Sequence, residues 1–274
     1  MTQRDPARTD ANPSETMQFC WIDSGEAHLA TSIDLPRSAP PWPVVIIVHG
    51  FSGDRIGRSY HFVEFGRTLN ALGMACVRFD HAGCGESTGD QRLYHLGSIE
   101  RDCTAVGRWL GRDGRFDMAR LGVVGSSMGG LGGLMTAARF NARGLLLWAP
   151  VCDLPGITKE VAPPDQVQKS IEQIGFAPFK GLRIGPTYFD YLGHLDPAEQ
   201  IKSLRCPVFI AHAREDQAVP IEHSHEYIRL CRSHNVACEL MEFDGSTHDF
   251  HLEPARSKLI RESVQRMSRW LVQK

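Results

Sequence analysis

The chain has almost no excess of charge. Of its 274 residues, 30 are Lys or Arg and 32 are Asp or Glu, a formal net charge of −2. So balanced a surface carries no field for holding a polyanion, which argues against nucleic acid as a partner. Long apolar runs are also missing. None approaches the ~18 residues needed to cross a bilayer, so no membrane association is expected. Residues 1–16 include acidic groups and no apolar core, unlike a secretory signal; their polarity and two prolines predict a flexible tail. No two of the eight cysteines form a C-x-x-C pair. Buried, reduced thiols are therefore expected, and with them a cytoplasmic location. His223 and His225 lack further spaced ligands, so no metal is expected. A Walker lysine and a G-x-G-x-x-G are both absent, since Gly83-Cys84-Gly85 runs on to Thr88. Nucleotide binding is disfavoured, and no cofactor is called for.

The chain is long enough for a substantial core without a metal or disulfide staple, as one large domain or two small ones. Strands are predicted at Gln18–Asp23 and Leu29–Leu35. After the proline-rich break at Pro36–Pro43 come short, nearly all apolar runs at Val44–Val48, Ala75–Phe79, Leu121–Val124, Leu145–Trp148 and Val208–Ala211, then a strand at Cys238–Phe243. Helical spacing covers Tyr60–Leu72, Ile99–Leu110, Met128–Phe140, Glu222–Cys231 and Ala255–Val272. Alternation of buried strands with helices predicts an α/β fold with a mostly parallel sheet covered on both faces. Residues 151–205 break the rhythm, with six prolines and no strong strand. That is too long for a plain connection, and an inserted cap or lid over the carboxyl edge of the sheet is expected, within one domain spanning 17–274.

The sharpest chemical signal is Gly125-Ser126-Ser127-Met128-Gly129, between a buried strand and a helix. In a G-x-S-x-G elbow the central serine sits on a strained turn that exposes its hydroxyl at the helix N-terminus, and the glycines let backbone pass closely. The spacing selects Ser127 as nucleophile, with Ser126 a decoy. A serine needs a base, and His248 lies in a loop between the last strand and the last helix. His223 and His225 are expected to face solvent and His212 to be structural. An acid must hold the imidazole; Asp216, in the loop after Val208–Ala211, is the candidate, with Glu215 and then Asp153 as rivals. Two amides must receive the oxyanion: that of Met128, after the nucleophile, and one from His49-Gly50-Phe51-Ser52-Gly53, the Phe51 amide.

The order His49-Gly50-Phe51, Gly125-x-Ser127-x-Gly129, Asp216-x-x-Val219-Pro220 and Gly245-x-x-His248 resembles the α/β-hydrolases over nearly the whole chain from about residue 17. Asp80-x-x-Gly83-x-Gly85-x-Ser87 resembles a structural turn of that superfamily. Within it, His49–Arg55 together with Val77–Asp80 is most similar to bacterial cinnamoyl (feruloyl) esterases, although the elbow departs from their usual Gly-His-Ser-Gln-Gly. The resemblance implies an eight-stranded hydrolase sheet, a serine esterase activity and an ester small molecule as substrate. It also places Tyr188 where a cap tyrosine meets an aromatic acyl group. Phe176, Phe179, Tyr188, Phe189 and Tyr191 fit two readings equally, contact with substrate or packing of the lid onto the core.

Other readings stay open. A peptidase or amidase, or an acyltransferase, would use the same residues, and a non-catalytic small-molecule receptor would need none of them. The sequence does not fix an oligomeric state; a homodimer is compatible with it.

Overall fold

The protein is described here by a computed structural model covering residues 17–179 and 181–273; the expected tail at 1–16 lies outside the described residues. β1 (Met17–Asp23) and β2 (His28–Asp34) form an antiparallel hairpin. β3 (Trp42–Val48), α1 (His61–Ala71), β4 (Ala75–Phe79), α2 (Leu96–Arg112), β5 (Phe116–Ser126), α3 (Gly129–Arg139) and β6 (Gly144–Trp148) follow in strict alternation. The insertion contains α4 (Leu154–Val161), α5 (Pro164–Ile174), a small hairpin of β7 (Ala177–Phe179) and β8 (Leu182–Ile184), α6 (Pro186–Asp190) and α7 (Pro197–Ser203). β9 (Val208–Ala213), α8 (Glu222–Ser233), β10 (Cys238–Phe243) and α9 (Ala255–Leu271) complete the fold.

The eight-stranded sheet has the order β1-β2-β4-β3-β5-β6-β9-β10 and is antiparallel only where β2 meets its two neighbours. Its central strands are continuous apolar runs because both faces are covered. Val44, Ile46, Val48, Leu121 and Val123 point into one layer with Ile99 and Val106 of α2 and Leu131 and Leu134 of α3. The alternate residues, Val45, Ile47, Val124 and Leu146, point into the other with Phe65 and Leu69 of α1 and Leu259 and Val264 of α9. Each fully buried side chain of this kind contributes about 1.5–3 kcal/mol.

Since α1 and α2 lie on opposite faces, the chain order reverses at β3. A crevice therefore opens beyond the carboxyl ends of β3 and β5, where open α/β sheets bind their ligands.

Three elements differ from expectation. β5 begins at Phe116 rather than Leu121: Phe116 and Asp117 pair with Trp42 and Pro43, and Met118–Arg120 are passed over where the register shifts between Pro43 and Val44. α2 begins three residues early, since the His95 imidazole accepts the Gly97 and Ser98 amides at 3.1 and 3.3 Å, an unusual residue for a cap. The insertion also holds the β7–β8 pair, whose strands are too short to show alternation.

Candidate active site

Ser127 leaves β5 with φ of 57°, the left-handed conformation that an L-residue adopts only under constraint. The constraints are visible. Its amide donates to Trp148 O at 2.9 Å, and its carbonyl accepts the amides of Gly130 (2.9 Å) and Val151 (3.1 Å). Trp148 is itself fixed by its indole hydrogen bond to Ser263 and by Phe62 and Phe65. The two elbow glycines are required by space: a Cβ on Gly129 would lie 2.3 Å from Val48 O, and one on Gly125 2.5 Å from Gly129 O. Gly50 approaches from the β3 side, where a Cβ would come within 2.7 Å of Ser127 Cβ.

The fold brings together the three side chains that the sequence nominated. His248 Nε2 lies 2.9 Å from Ser127 Oγ, and His248 Nδ1 lies 2.7 Å from Asp216 Oδ2. The His248 loop is pinned by Phe250, which is buried against Phe243 at the end of β10 and donates its amide to Thr247 O. Asp216 is buried. Its Oδ1 accepts the amides of Ala218 (2.8 Å) and Val219 (2.9 Å). Burial opposes its ionisation, but hydrogen bonds from His212 and His248 outweigh burial and hold the carboxyl well below the usual carboxylate range.

Neither the Phe51 nor the Met128 amide has a hydrogen-bond partner among the described residues, and both residues border the same cavity as Ser127. The rivals lie elsewhere. Glu215 is exposed, and Asp153 caps α4 by accepting the Gly156 amide at 2.9 Å. Asp249 pairs with Arg58 at 3.6 Å on the cavity rim.

His212 was expected to be structural, and its ring is fully buried. Nε2 faces both Val219 O at 2.9 Å and Asp216 Oδ2 at 3.3 Å, so that nitrogen carries the proton and Nδ1 accepts the Ser224 hydroxyl. It thus braces Asp216, a role with no linear signature beyond its place at the end of a buried strand. The expectation for His223 is corrected: instead of facing solvent, its Nδ1 accepts the amides of Cys152 (2.9 Å) and Asp153 (3.1 Å). That ties the start of the insertion to α8. His225 is exposed.

The cavity has a volume of about 1110 Å³ and is roofed by the insertion. Leu154, Ile157, Val161, Val167, Phe179 and Phe189 supply much of its apolar wall. Tyr188 lies in this wall with its ring 5.5 Å from that of Phe51. Its hydroxyl is 3.4 Å from Thr158 Oγ1 and 3.9 Å from Met128 Sδ. The insertion's aromatics divide between the two readings. Phe179, Tyr188 and Phe189 line the cavity, whereas Tyr191 stacks on His95 and Phe176 sits under Arg183. Among the described residues, no cluster of side chains is arranged to hold a metal ion, and no helix is long and apolar enough to cross a membrane.

His61 borders the cavity from α1, with Nδ1 2.6 Å from Arg58 O. Burial pushes its imidazole down to about 4. Between the ordinary histidine value near 6.5 and that figure, the unfolded chain binds a proton that the folded protein refuses. Stability therefore falls on acidification through this window, by up to about 1.4 kcal/mol per pH unit. The thermal midpoint is expected to drop between pH 7 and pH 5, and His61→Gln to make the drop shallower. An unchanged pH dependence in His61→Gln would count against this.

Sheet order, elbow and site together define an α/β-hydrolase, and a family model described as the alpha/beta hydrolase fold matches residues 43–144. The chain belongs to the prolyl oligopeptidase family, whose model matches residues 97–274. Among solved structures it is similar to Est1E from Butyrivibrio proteoclasticus with ferulic acid bound. The TM-score is 0.78 at 24% identity, covering 93% of this chain and 99% of that one, a likeness of fold. Among curated proteins it is 23% identical over 216 residues to YtmA of Bacillus subtilis (strain 168), described as an uncharacterized peptidase, covering 78% of this chain and 79% of YtmA. It is also 29% identical over 115 residues to a 31.7 kDa protein from the traX-finO intergenic region of Escherichia coli, covering 42% of this chain. The match spans 39% of that protein, and 35% of a second Escherichia coli protein of the same description.

Proposed function

We propose that the protein is a serine hydrolase of carboxylic esters that works through an acyl-enzyme. The observation that carries this reading is the unbroken chain Ser127 Oγ–His248 Nε2–His248 Nδ1–Asp216 Oδ2, at 2.9 and 2.7 Å, opening into an apolar cavity. With Asp216 ionised, the imidazole proton sits on Nδ1 and Nε2 is free to accept. Ser127 Oγ attacks the acyl carbonyl as its proton passes to Nε2. The negative charge on the carbonyl oxygen falls to the Phe51 and Met128 amides, which have no other partner among the described residues; Met128 also stands at the N-terminus of α3, where anions are favoured. Collapse of the adduct breaks the bond to the alcohol, which leaves with the Nε2 proton. Water, deprotonated by His248, then releases the acid and restores Ser127.

The apolar wall suits an acyl group of some size, with Tyr188 and Thr158 among the polar points inside it. A phenolic acyl group of the feruloyl or cinnamoyl kind is the substrate we favour, since the ring would face Phe51, Tyr188 and Phe179 while its hydroxyl reaches one of those polar points. The cysteines, none of them paired among the described residues, suit a cytoplasmic setting.

A peptidase is the second reading, favoured by membership of the prolyl oligopeptidase family and the likeness to YtmA. Rates on p-nitrophenyl esters of increasing acyl length, on methyl ferulate and on aminoacyl p-nitroanilides decide between them. The esters are expected to be the better substrates, with methyl ferulate among them. Higher kcat/KM on an anilide than on any ester would overturn the esterase reading in favour of the peptidase.

A further inference from the structure

Behind the β3 loop lies a buried polar group that the proposed chemistry does not touch. Asp102 of α2, His81 after β4 and His49 after β3 are each all but inaccessible to solvent. A carboxylate in such a place is costly unless its hydrogen bonds serve it well. Asp102 Oδ2 accepts the Ala82 amide at 2.9 Å and faces His81 Nδ1 at 3.3 Å. The turn at 81–82 is therefore tied to α2. From that turn the His81 amide donates to His49 Nε2 at 3.0 Å, which places the His49 proton on Nδ1, 2.9 Å from Gly50 O. The rings of His49 and His81 also pack together, 4.5 Å between centroids.

Gly50 C=O and Phe51 N–H belong to a single planar peptide unit, in which they point in opposite directions. Holding the carbonyl toward His49 therefore turns the Phe51 amide away from it. The Gly53 amide, 3.1 Å from the same oxygen, helps to hold that plane. We propose that Asp102 is a positioning residue for the oxyanion-binding loop, acting through Ala82, His81 and the His49 imidazole to set the direction of the Phe51 amide. The inference rests on the hydrolase reading above. Burial and the neighbouring His81 push the His49 imidazole well below its usual value, so that it stays neutral and keeps both of its roles, acceptor at Nε2 and donor at Nδ1.

The test compares a p-nitrophenyl ester with its thiono analogue, in which sulfur replaces the carbonyl oxygen. Sulfur accepts hydrogen bonds poorly, so the oxo/thiono rate ratio reads the oxyanion donors and is insensitive to a general loss of packing. Asp102→Ala is expected to lower kcat on the oxo ester by about tenfold to a hundredfold, as a misplaced catalytic group does, with KM within about twofold. The oxo/thiono ratio should fall with it. Asp102→Asn, which keeps an acceptor for the Ala82 amide, should recover most of the loss. His49→Phe preserves ring volume but removes both hydrogen bonds, and should reproduce the Asp102→Ala signature if that variant does not fold. Equal losses on both esters, full activity in Asp102→Ala, or failure of both variants to fold would overturn the positioning role alone. Wild-type protein that turns over neither ester and takes no fluorophosphonate at Ser127 would overturn the hydrolase reading, and this inference with it.

Discussion

Ser127→Ala is expected to lower kcat on any ester substrate by about 10⁴–10⁶-fold while leaving KM within a few-fold. The asymmetry follows from where the hydroxyl sits. It stands at the base of the cavity, 2.9 Å from His248 Nε2, whereas the apolar wall that would hold the acyl group comes largely from the insertion. Removing one oxygen takes away the bond-forming atom and leaves that wall as it was. The residual rate would come from the Phe51 and Met128 amides polarising a bound carbonyl toward water. A fluorophosphonate should label the wild-type protein at Ser127 alone. Labelling that persists in Ser127→Ala, or at Ser126, would remove Ser127 from the role.

Asp216→Asn should cost about 10⁴-fold in kcat, for a reason local to this site. The position of Oδ1 accepts two backbone amides, from Ala218 and Val219, and only the carbonyl oxygen of an asparagine can stand there. The new amide group is then forced to the position of Oδ2, pointing its hydrogens at His248 Nδ1 and against the N–H of His212. His248 Nδ1 must become an acceptor, and its proton moves to Nε2, where it blocks transfer from Ser127. Activity and the rate of fluorophosphonate labelling should fall together, and the clash with His212 should lower the thermal midpoint. Activity within tenfold of wild type would show that another group orients His248. Neither Glu215, which is exposed, nor Asp153, engaged at the start of α4, is placed to do so.

Ser127, Asp216 and His248 were legible in the sequence because each stands in a loop at the carboxyl end of a strand, Ser127 and Asp216 after unmistakable apolar runs and His248 within Gly245-x-x-His248. The supporting groups were not. His212 reads as one more residue of a buried strand, and only the packing of β9 against the 216–219 loop turns its Nε2 toward Asp216. His95 hides the true start of α2 because histidine is a rare cap, and Asp117–Arg120 hides the start of β5 because a stretch bounded by two charged residues, three of its positions without a β3 partner, looks like a connection. In the insertion, five aromatics within a short span look alike. Phe179, Tyr188 and Phe189 reach the cavity, while Tyr191 packs on His95 at the start of α2 and Phe176 against Arg183.

The glycine content, 26 residues in all, shows the same division. That Gly125 and Gly129 flank a strained serine could be read from spacing; that Gly50 must be glycine because a Cβ would strike Ser127 could not.

By itself, the sequence determined the strands and helices outside the insertion and their order, the elbow and the residue types available at each loop. These follow from local pattern, since burial on both faces demands unbroken apolar runs and a strained turn demands glycine beside it. Tertiary structure alone decided which side chains meet. Ser127 and His248 are 121 positions apart and Asp216 and His248 are 32 apart, so their contact depends on β5, β9 and β10 running parallel in one sheet, which brings the loops after all three to the same edge. The direction of a single peptide unit at Gly50–Phe51 lies further still from the sequence, because it is set by hydrogen bonds from three separate elements that converge only when the core has formed.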